Sequence, residues 1–243
     1  MSTPVSAWAL LPAAGSGSRM GLEIPKQFLP VRGRPVIMHT LEALLSHTRI
    51  EGAVVAVNPL IDIWRAPSSA RGKPVHAVSG GAERADSVLA GLQYLSDHAA
   101  PDDWVLVHDA ARPNLHHADL DKLFATLDRE GTRGALLATR IADTIKREDA
   151  SQAAVETVPR DGLWRALTPQ VFRLHELVAA LTDAKAAGVQ VTDESMAMER
   201  AGVHATLVEG RADNLKITTP ADLELIEFLL RPKVMPGDGS WDL

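Results

Sequence analysis

Cysteine is absent from the 243 residues. That excludes a thiolate nucleophile, a cysteine-bound zinc or iron–sulfur centre, and a disulfide scaffold. Positive charge is also short, with 25 Lys and Arg against 31 Asp and Glu and a formal charge of −6. Broad binding to duplex nucleic acid needs the opposite balance, so no nucleic-acid partner is expected. The same sign disfavours polyanionic ligands on average, but a local cluster of cations overrides an average. No apolar run approaches the ~20 residues of a membrane span. The first run, Val5 to Ala14, has no basic leader and runs into a Gly/Ser turn. It does not read as a signal peptide. A soluble cytoplasmic protein without a membrane partner is expected.

What is present is an ordinary globular composition, 46% hydrophobic and 23% charged. A chain of this length can bury roughly 70–75% of its unfolded surface, in one large domain or two small ones. Short apolar runs alternate with helical patterns. Strands are read at Trp8–Leu11, Ala53–Val57, Val75–Val78, Trp104–Val107, Ala135–Ala138 and Ala205–Val208. Helices are read at Val36–Leu45, around Val88, Leu92 and Leu95, and at Leu120–Leu127, Leu174–Ala187, Asp193–Ala201 and Pro220–Leu230. Continuous apolar strands separated by helices predict an α/β fold, its mainly parallel sheet covered on both faces. The rhythm breaks at Thr139–Arg160, where polar and β-branched residues alternate without a helical face. An inserted β-arm is expected there. One α/β domain with an inserted arm fits better than two domains. Residues 231–243 are rich in Pro and Gly and read as a loose tail.

The first strand runs into Ala13-Ala14-Gly15-Ser16-Gly17-Ser18-Arg19-Met20, followed by Pro25-Lys26. Glycines after a strand let backbone N–H groups approach a phosphate. An ordinary strand–helix turn is the plainer reading of Gly-x-Gly alone. A dinucleotide fingerprint wants a small third residue, and Met20 stands there. A Walker loop needs Gly-Lys before Ser or Thr, whereas Lys26 lies between Pro25 and Gln27. What remains is a glycine loop with two cations seven residues apart, suited to a triphosphate.

That loop resembles the nucleotidyltransferases that make sugar and polyol nucleotides, with their pattern A-A-G-x-G-x-R-M followed by P-K. Further stretches narrow the resemblance: GGAERADS from Gly80, VHDAARP from Val107, Thr144-Ile145-Lys146, LWRALTPQ from Leu163, Thr192-Asp193-Glu194, and GRADNLKIT from Gly210. Over residues 7–230 the chain resembles the 2-C-methyl-D-erythritol 4-phosphate cytidylyltransferase family of the non-mevalonate isoprenoid pathway. The resemblance implies a Rossmann-like nucleotidyltransferase fold in a single domain, residues 1–230. It implies a dimerisation arm at 139–162 and a homodimer formed through it. CTP and methylerythritol phosphate would give the cytidyl diphosphate product and pyrophosphate. Mg²⁺ would be held mainly by the CTP phosphates, with no protein metal site.

By the same resemblance, Arg19 and Lys26 stabilise the crowded transition state at the α-phosphorus. Arg160 and Lys216 position the acceptor phosphate. Ala13, Ala14, Gly15, Gly17, Gly80, Gly81 and Ser87 bind the nucleotide. Asp109, Arg112, Thr144 and Thr168 complete the substrate contacts, with Thr144 and Arg160 serving the partner subunit. Ala82 departs from the Asp of some relatives, and contacts there are expected through backbone. A ribitol-5-phosphate cytidylyltransferase shares the loop and fold, so the acceptor is not read from motifs alone. An NAD(P)-binding oxidoreductase and a non-catalytic nucleotide-binding protein are the rivals from other classes.

Other residues have plainer readings. Arg32, Arg34, Arg49 and Arg71 are expected on the solvated surface, as are His116 and His117. Met196 and Met198 read as packing, and Asp193-Glu194 as a helix start favoured by the dipole. Arg211, Asp213 and Asn214 read as shaping the loop that presents Lys216.

Overall fold

The computed structural model describes residues 6–15 and 24–231. Strand β1 (Ala7–Ala13) is followed by a short 3-10 turn at Lys26–Phe28 and a small hairpin, β2 (Pro30–Val31) and β3 (Arg34–Pro35). Next come α1 (Val36–Leu45), β4 (Ile50–Val57), β5 (Ser69–Ala70), β6 (Lys73–Ser79) and α2 (Arg84–Ser96). Then follow β7 (Trp104–Val107), α3 (His117–Leu127), β8 (Gly134–Arg140), and the hairpin β9 (Ile145–Glu148) and β10 (Ala154–Val158). The chain continues through β11 (Trp164–Arg173), α4 (Leu174–Ala186), α5 (Glu194–Arg200), β12 (Thr206–Glu209) and α6 (Pro220–Leu229).

Eight strands form one sheet in the order β12-β8-β11-β7-β1-β4-β6-β5. The pairs β1–β4, β1–β7, β4–β6 and β12–β8 are parallel. Strand β11 runs antiparallel to both β7 and β8. The alternation of strand side chains divides the core in two. Ala9, Leu11, Val55, Leu106 and Leu137 face α1 and α3. Leu10, Val54, Val105, Val107 and Phe172 face α2, α4 and α5. This is the two-faced cover that the apolar strands predict.

From β1 the chain winds outward through β4 to β6, then returns to place β7 on the other side of β1. The reversal leaves a crevice beyond the carboxyl ends of β1 and β7. Open α/β sheets bind ligands at such a point.

The expected helices and strands are found, several at the expected residues. Strand β11 was not expected. Its pairing to β8 shifts register between Ala166 and Gln170, around Pro169, so its sequence lacks regular alternation. The break at Thr139–Arg160 is a departure from the sheet: Thr139 and Arg140 still belong to β8, and β9–β10 is a free-standing two-stranded hairpin. The lone-arginine reading needs correction at Arg49 alone; Arg34 stays on the surface, in an ion pair. The Arg34 guanidinium donates to both carboxylate oxygens of Glu42, at 3.0 and 2.7 Å. Arg49 lies over the Phe124 ring and pairs with Asp128 at 2.8 Å. Its partners come from α3 and the residue after it, far away in sequence. Arg32 and Arg71 are exposed, as expected. Met198 is buried in the core beside Leu177.

Candidate active site

The crevice is a cleft of about 410 Å³ with five walls. The end of β1 supplies Pro12, Ala13, Ala14 and Gly15, and the 3-10 turn supplies Lys26 and Gln27. The β6–α2 turn supplies Gly81 to Arg84 together with Ser87. The turn after β7 supplies Asp109 to Ala111, and the segment before α6 supplies Lys216 and Thr218. Lys26 and Lys216, far apart in sequence, thus share one cavity.

Each wall has a local cause. A Cβ at Gly81 would stand 2.3 Å from the Asp86 Cβ, and one at Gly80 would stand 2.5 Å from the Ala14 Cβ. Only glycine lets the start of α2 close against the β1 loop. Ser87 is buried, accepts from the Gly81 N–H at 3.2 Å and donates to the Glu83 carbonyl at 3.2 Å. The turn after β7 is fixed from three sides. Thr40 on α1 donates to the Ala110 carbonyl at 2.9 Å, and the Ile217 N–H donates to the Ala111 carbonyl at 3.0 Å. The Asp109 N–H donates to Thr168 Oγ1 at 3.2 Å.

The electrostatic centre is Asp109, only 7% exposed. Its Oδ1 lies 3.3 Å from Arg84 Nε, and its Oδ2 lies 3.1 Å from Arg112 Nε and 3.0 Å from Lys216 Nζ. Burial would raise its carboxyl pKa. The charges of Arg84, Lys216 and Arg112 outweigh that and hold it well below the usual carboxylate range. Arg84 is gripped from behind by Glu194, 1% exposed, whose two oxygens accept at 2.6 and 3.1 Å. Burial would lower the Arg84 pKa, but Glu194 and Asp109 raise it further above its ordinary value. Two carboxylates therefore hold three cations in place before any ligand arrives.

Behind this cluster is His108, fully buried. The Arg112 carbonyl can only accept, so the ring proton sits on Nε2 and the Thr168 hydroxyl, while accepting from Asp109 N–H, donates to His108 Nδ1, 2.9 Å away. The Nε2–H donates to the Arg112 carbonyl at 3.0 Å. This tautomer is assigned from the hydrogen-bond partners. Burial, the largest influence, pulls the His108 pKa down to about 4.

Of the residues expected at the site, Ala13, Ala14, Gly15, Lys26, Gly81, Ser87, Asp109 and Lys216 line the cleft. Gly80 packs just behind its wall, and Arg112 stands behind Asp109, also donating to the Asn214 carbonyl at 2.8 Å. Thr168 is buried with its hydroxyl engaged by His108 and Asp109. Thr144 and Arg160 are exposed at the base of the hairpin and do not line this cleft; the Arg160 guanidinium donates to the Ala142 carbonyl. Arg19 and Gly17 lie outside the described residues. Asn214 donates to the Thr168 carbonyl at 2.8 Å, and Arg211 pairs with Asp213, which supports the loop-shaping reading. Sequence reasoning gave no role to Arg84, Gln27 or His108, although all three stand inside or beside the quoted motifs. Glu194 was placed correctly at a helix start, but its partner Arg84 is visible only in three dimensions.

Among the described residues, His47, His117 and Asp121 form one group with metal-ligating atoms close together. It lies before the start of β4, at the opposite end of the sheet from the cleft. His47 Nδ1 accepts the Arg49 N–H at 3.2 Å, so its proton sits on Nε2 and is directed to Asp121 at 3.2 Å. That leaves no lone pair there for a metal, and the group reads as a hydrogen-bonded bridge between α1 and α3. His117 is exposed but paired with Asp121 at 3.4 Å.

A crevice at a topological switch point, edged by Ala13–Gly15 after β1, two close-packed glycines and converging cations, defines an α/β enzyme of the nucleotidyltransferase class. The family model described as 2-C-methyl-D-erythritol 4-phosphate cytidylyltransferase matches residues 7–232, and the chain belongs to that family. The protein of that name from Xanthomonas euvesicatoria pv. vesicatoria (strain 85-10) is 52% identical over 225 residues, 93% of this chain and 85% of the relative. The one from Stenotrophomonas maltophilia (strain R551-3) is 52% identical over 92% of this chain and 96% of its own length. The crystal structure of Francisella tularensis 2-C-methyl-D-erythritol 4-phosphate cytidylyltransferase superposes with a TM-score of 0.79 at 31% identity, over 93% of this chain and 100% of that one. A crystal structure of 4-diphosphocytidyl-2C-methyl-D-erythritol synthase gives 0.79 at 33% identity, covering 95% and 100%. Among the described residues no helix is long and apolar enough to cross a membrane.

Proposed function

We propose that this chain transfers the cytidylyl group of CTP to 2-C-methyl-D-erythritol 4-phosphate, releasing pyrophosphate, in isoprenoid precursor biosynthesis. The observation that carries the chemistry is the convergence of Lys26 and Lys216 on a single cleft walled by Ala13–Gly15 and by Gly81 and Ser87. An oxygen of the acceptor phosphate forms a bond to the α-phosphorus of CTP, and the bond to the bridging oxygen of the β-phosphate breaks. The acceptor phosphate is already anionic near neutral pH, since the second pKa of a phosphate monoester is about 6. No general base is needed, and no cysteine. The obstacle is bringing two anions together, which calls for positioned positive charge and in-line alignment.

In this mechanism Lys26, with Arg19 from the glycine loop, neutralises charge building at the α-phosphorus. Lys216 aligns the acceptor phosphate together with Arg160. Asp109 keeps Lys216, Arg84 and Arg112 in register, and Thr168 holds the Asp109 turn. Arg112 and Thr144 complete the substrate contacts. The flat pyrimidine fits against the backbone at Ala13–Ala14 and Gly80–Gly81, beside Ser87.

The residues present fit a Mg²⁺ that arrives on the nucleotide. Among the described lining residues the carboxylates are Asp109 and Glu83, and Asp109 already faces three cations. Mg²⁺ bound mainly to phosphate oxygens and water would offset triphosphate charge. A cytoplasmic homodimer formed through the hairpin, with Arg160 and Thr144 given to the partner's site, completes the proposal.

The test is pyrophosphate release with CTP and each acceptor in turn. Faster turnover with ribitol 5-phosphate than with methylerythritol phosphate would sink the acceptor assignment. No turnover with either would remove the enzymatic reading.

A further inference from the structure

We propose that Gln27 is a positioning residue that locks Ala13–Gly15, at the end of β1, to the turn carrying Lys26, and so sets the nucleotide half of the cleft. The proposal rests on the cytidylyltransferase reading above. Gln27 is buried, and its side-chain nitrogen donates twice: to the Ala13 carbonyl at 2.7 Å and to the Gly15 carbonyl at 2.9 Å. A primary amide has two N–H donors, so both are spent on one loop. Because a trans peptide directs its N–H opposite its C=O, fixing the Ala13 carbonyl also fixes the Ala14 N–H.

The turn itself is held from the other side. Phe28 is buried, stacks on Trp64 at 5.4 Å, and donates its N–H to the Pro25 carbonyl at 2.8 Å. Successive residues of a 3-10 turn point about 120° apart. Lys26, Gln27 and Phe28 therefore divide three tasks: Lys26 lines the cleft, Gln27 ties the loop, and Phe28 anchors the turn in the core. Among the described residues, this side chain ties Gly15 directly to the turn. Loss of the amide would let the loop and Lys26 drift relative to each other while every group that meets substrate stays in the protein.

The chemistry of the amide dictates the test. Gln27→Glu keeps the shape but puts a carboxylate oxygen against two carbonyl oxygens. Gln27→Met removes the donors without adding charge. Wild type and both variants are compared by steady-state kinetics with CTP and methylerythritol phosphate, and by hydrogen exchange of the Ala14 and Gly15 amides without substrate. We expect the KM for CTP to rise roughly 10- to 100-fold, as for a buried polar pair left unmade. The KM for the acceptor should stay within about twofold, and loop exchange should quicken by roughly tenfold or more. A fall in kcat with both KM values and the exchange of Ala14 and Gly15 unchanged would mean lost active protein and would overturn the proposal. An equal rise in both KM values, or unaltered exchange at Ala14 and Gly15, would overturn it as well. If wild type shows no turnover, the activity reading fails. The exchange comparison still decides whether Gln27 holds the loop. Should Gln27→Glu not fold, the Met variant carries the same three readouts.

Discussion

Asp109 and Glu194 do for Arg84 what solvent does for a surface arginine. Each is nearly sealed from water, so neither charge is tolerable alone, and together they fix a guanidinium at the cleft wall. Breaking a buried pair on one side is costly because the remaining charge loses its partner. Glu194→Gln keeps the volume and one acceptor but removes the charge. It should destabilise the protein by on the order of 3 kcal/mol, read from denaturant unfolding. Unchanged stability would mean that Asp109 alone satisfies Arg84. His108 offers a second residue-scale prediction, with a definite sign. Its native pKa is pulled down to about 4 from an ordinary 6.5. Between those values the unfolded chain binds a proton that the native state refuses. Unfolding therefore takes up a proton, and stability falls as pH drops through that window, by about 3 kcal/mol over its full width. His108→Gln should flatten most of this slope. Part should remain, because burial also pulls His47 down. A wild-type slope in the variant would place the proton uptake elsewhere.

At the scale of elements, a small third core ties the site loops together. Leu29 and Val31 follow the Lys26 turn, Ala111 follows Asp109, Ile217 follows Lys216, and all pack with Ile226 of α6. Ile226 is the one buried residue of that helix. Ile226→Ala should cost about 2–5 kcal/mol and misalign the cationic loops, so kcat/KM should fall at temperatures where the variant is still folded. Normal kcat/KM in folded variant protein would show that the loops hold their places without α6. The parallel half of the sheet was legible because its strands are continuous apolar runs and the intervening helices are periodic. Val36–Leu45 and Trp104–Val107 appear with the expected bounds. Strand β11 was not legible, since its register shift and Pro169 break the alternation that marks a strand. Within the site, Lys26, Asp109 and Lys216 stand out by motif, whereas Arg84–Glu194 joins residues 110 apart by a contact no spacing predicts. Arg49 failed as a surface arginine for the same reason.

At the scale of the whole molecule, a formal charge of −6 coexists with a cleft whose described lining carries Lys26, Arg84 and Lys216 against Glu83 and Asp109. A net charge describes the surface as an average, and the site is a local exception to it. Thr144 and Arg160 sit at the base of an exposed hairpin and do not line the cleft that holds Lys26. In the proposed homodimer each hairpin supplies the neighbouring site. Lys26→Ala alone should lower kcat by about 10²–10³, and Arg160→Ala should chiefly raise the KM for the acceptor while leaving CTP affinity near normal. Mixing the two variants, assayed at an acceptor concentration far below the raised KM so that Arg160→Ala alone is nearly inactive, separates the arrangements. If both residues act within one chain, every site in every dimer carries a defect and the mixture stays inactive. If Arg160 acts across a two-fold dimer, each mixed dimer has one doubly defective site and one intact site. After subunit exchange at equal amounts, roughly a quarter of all sites are then wild type. The measurement is pyrophosphate release before and after exchange, with mixed dimers quantified by native mass spectrometry. Recovery toward a quarter of wild-type activity is the expected result. Abundant mixed dimers without recovery would return Arg160 to its own chain's site, or remove it from the reaction.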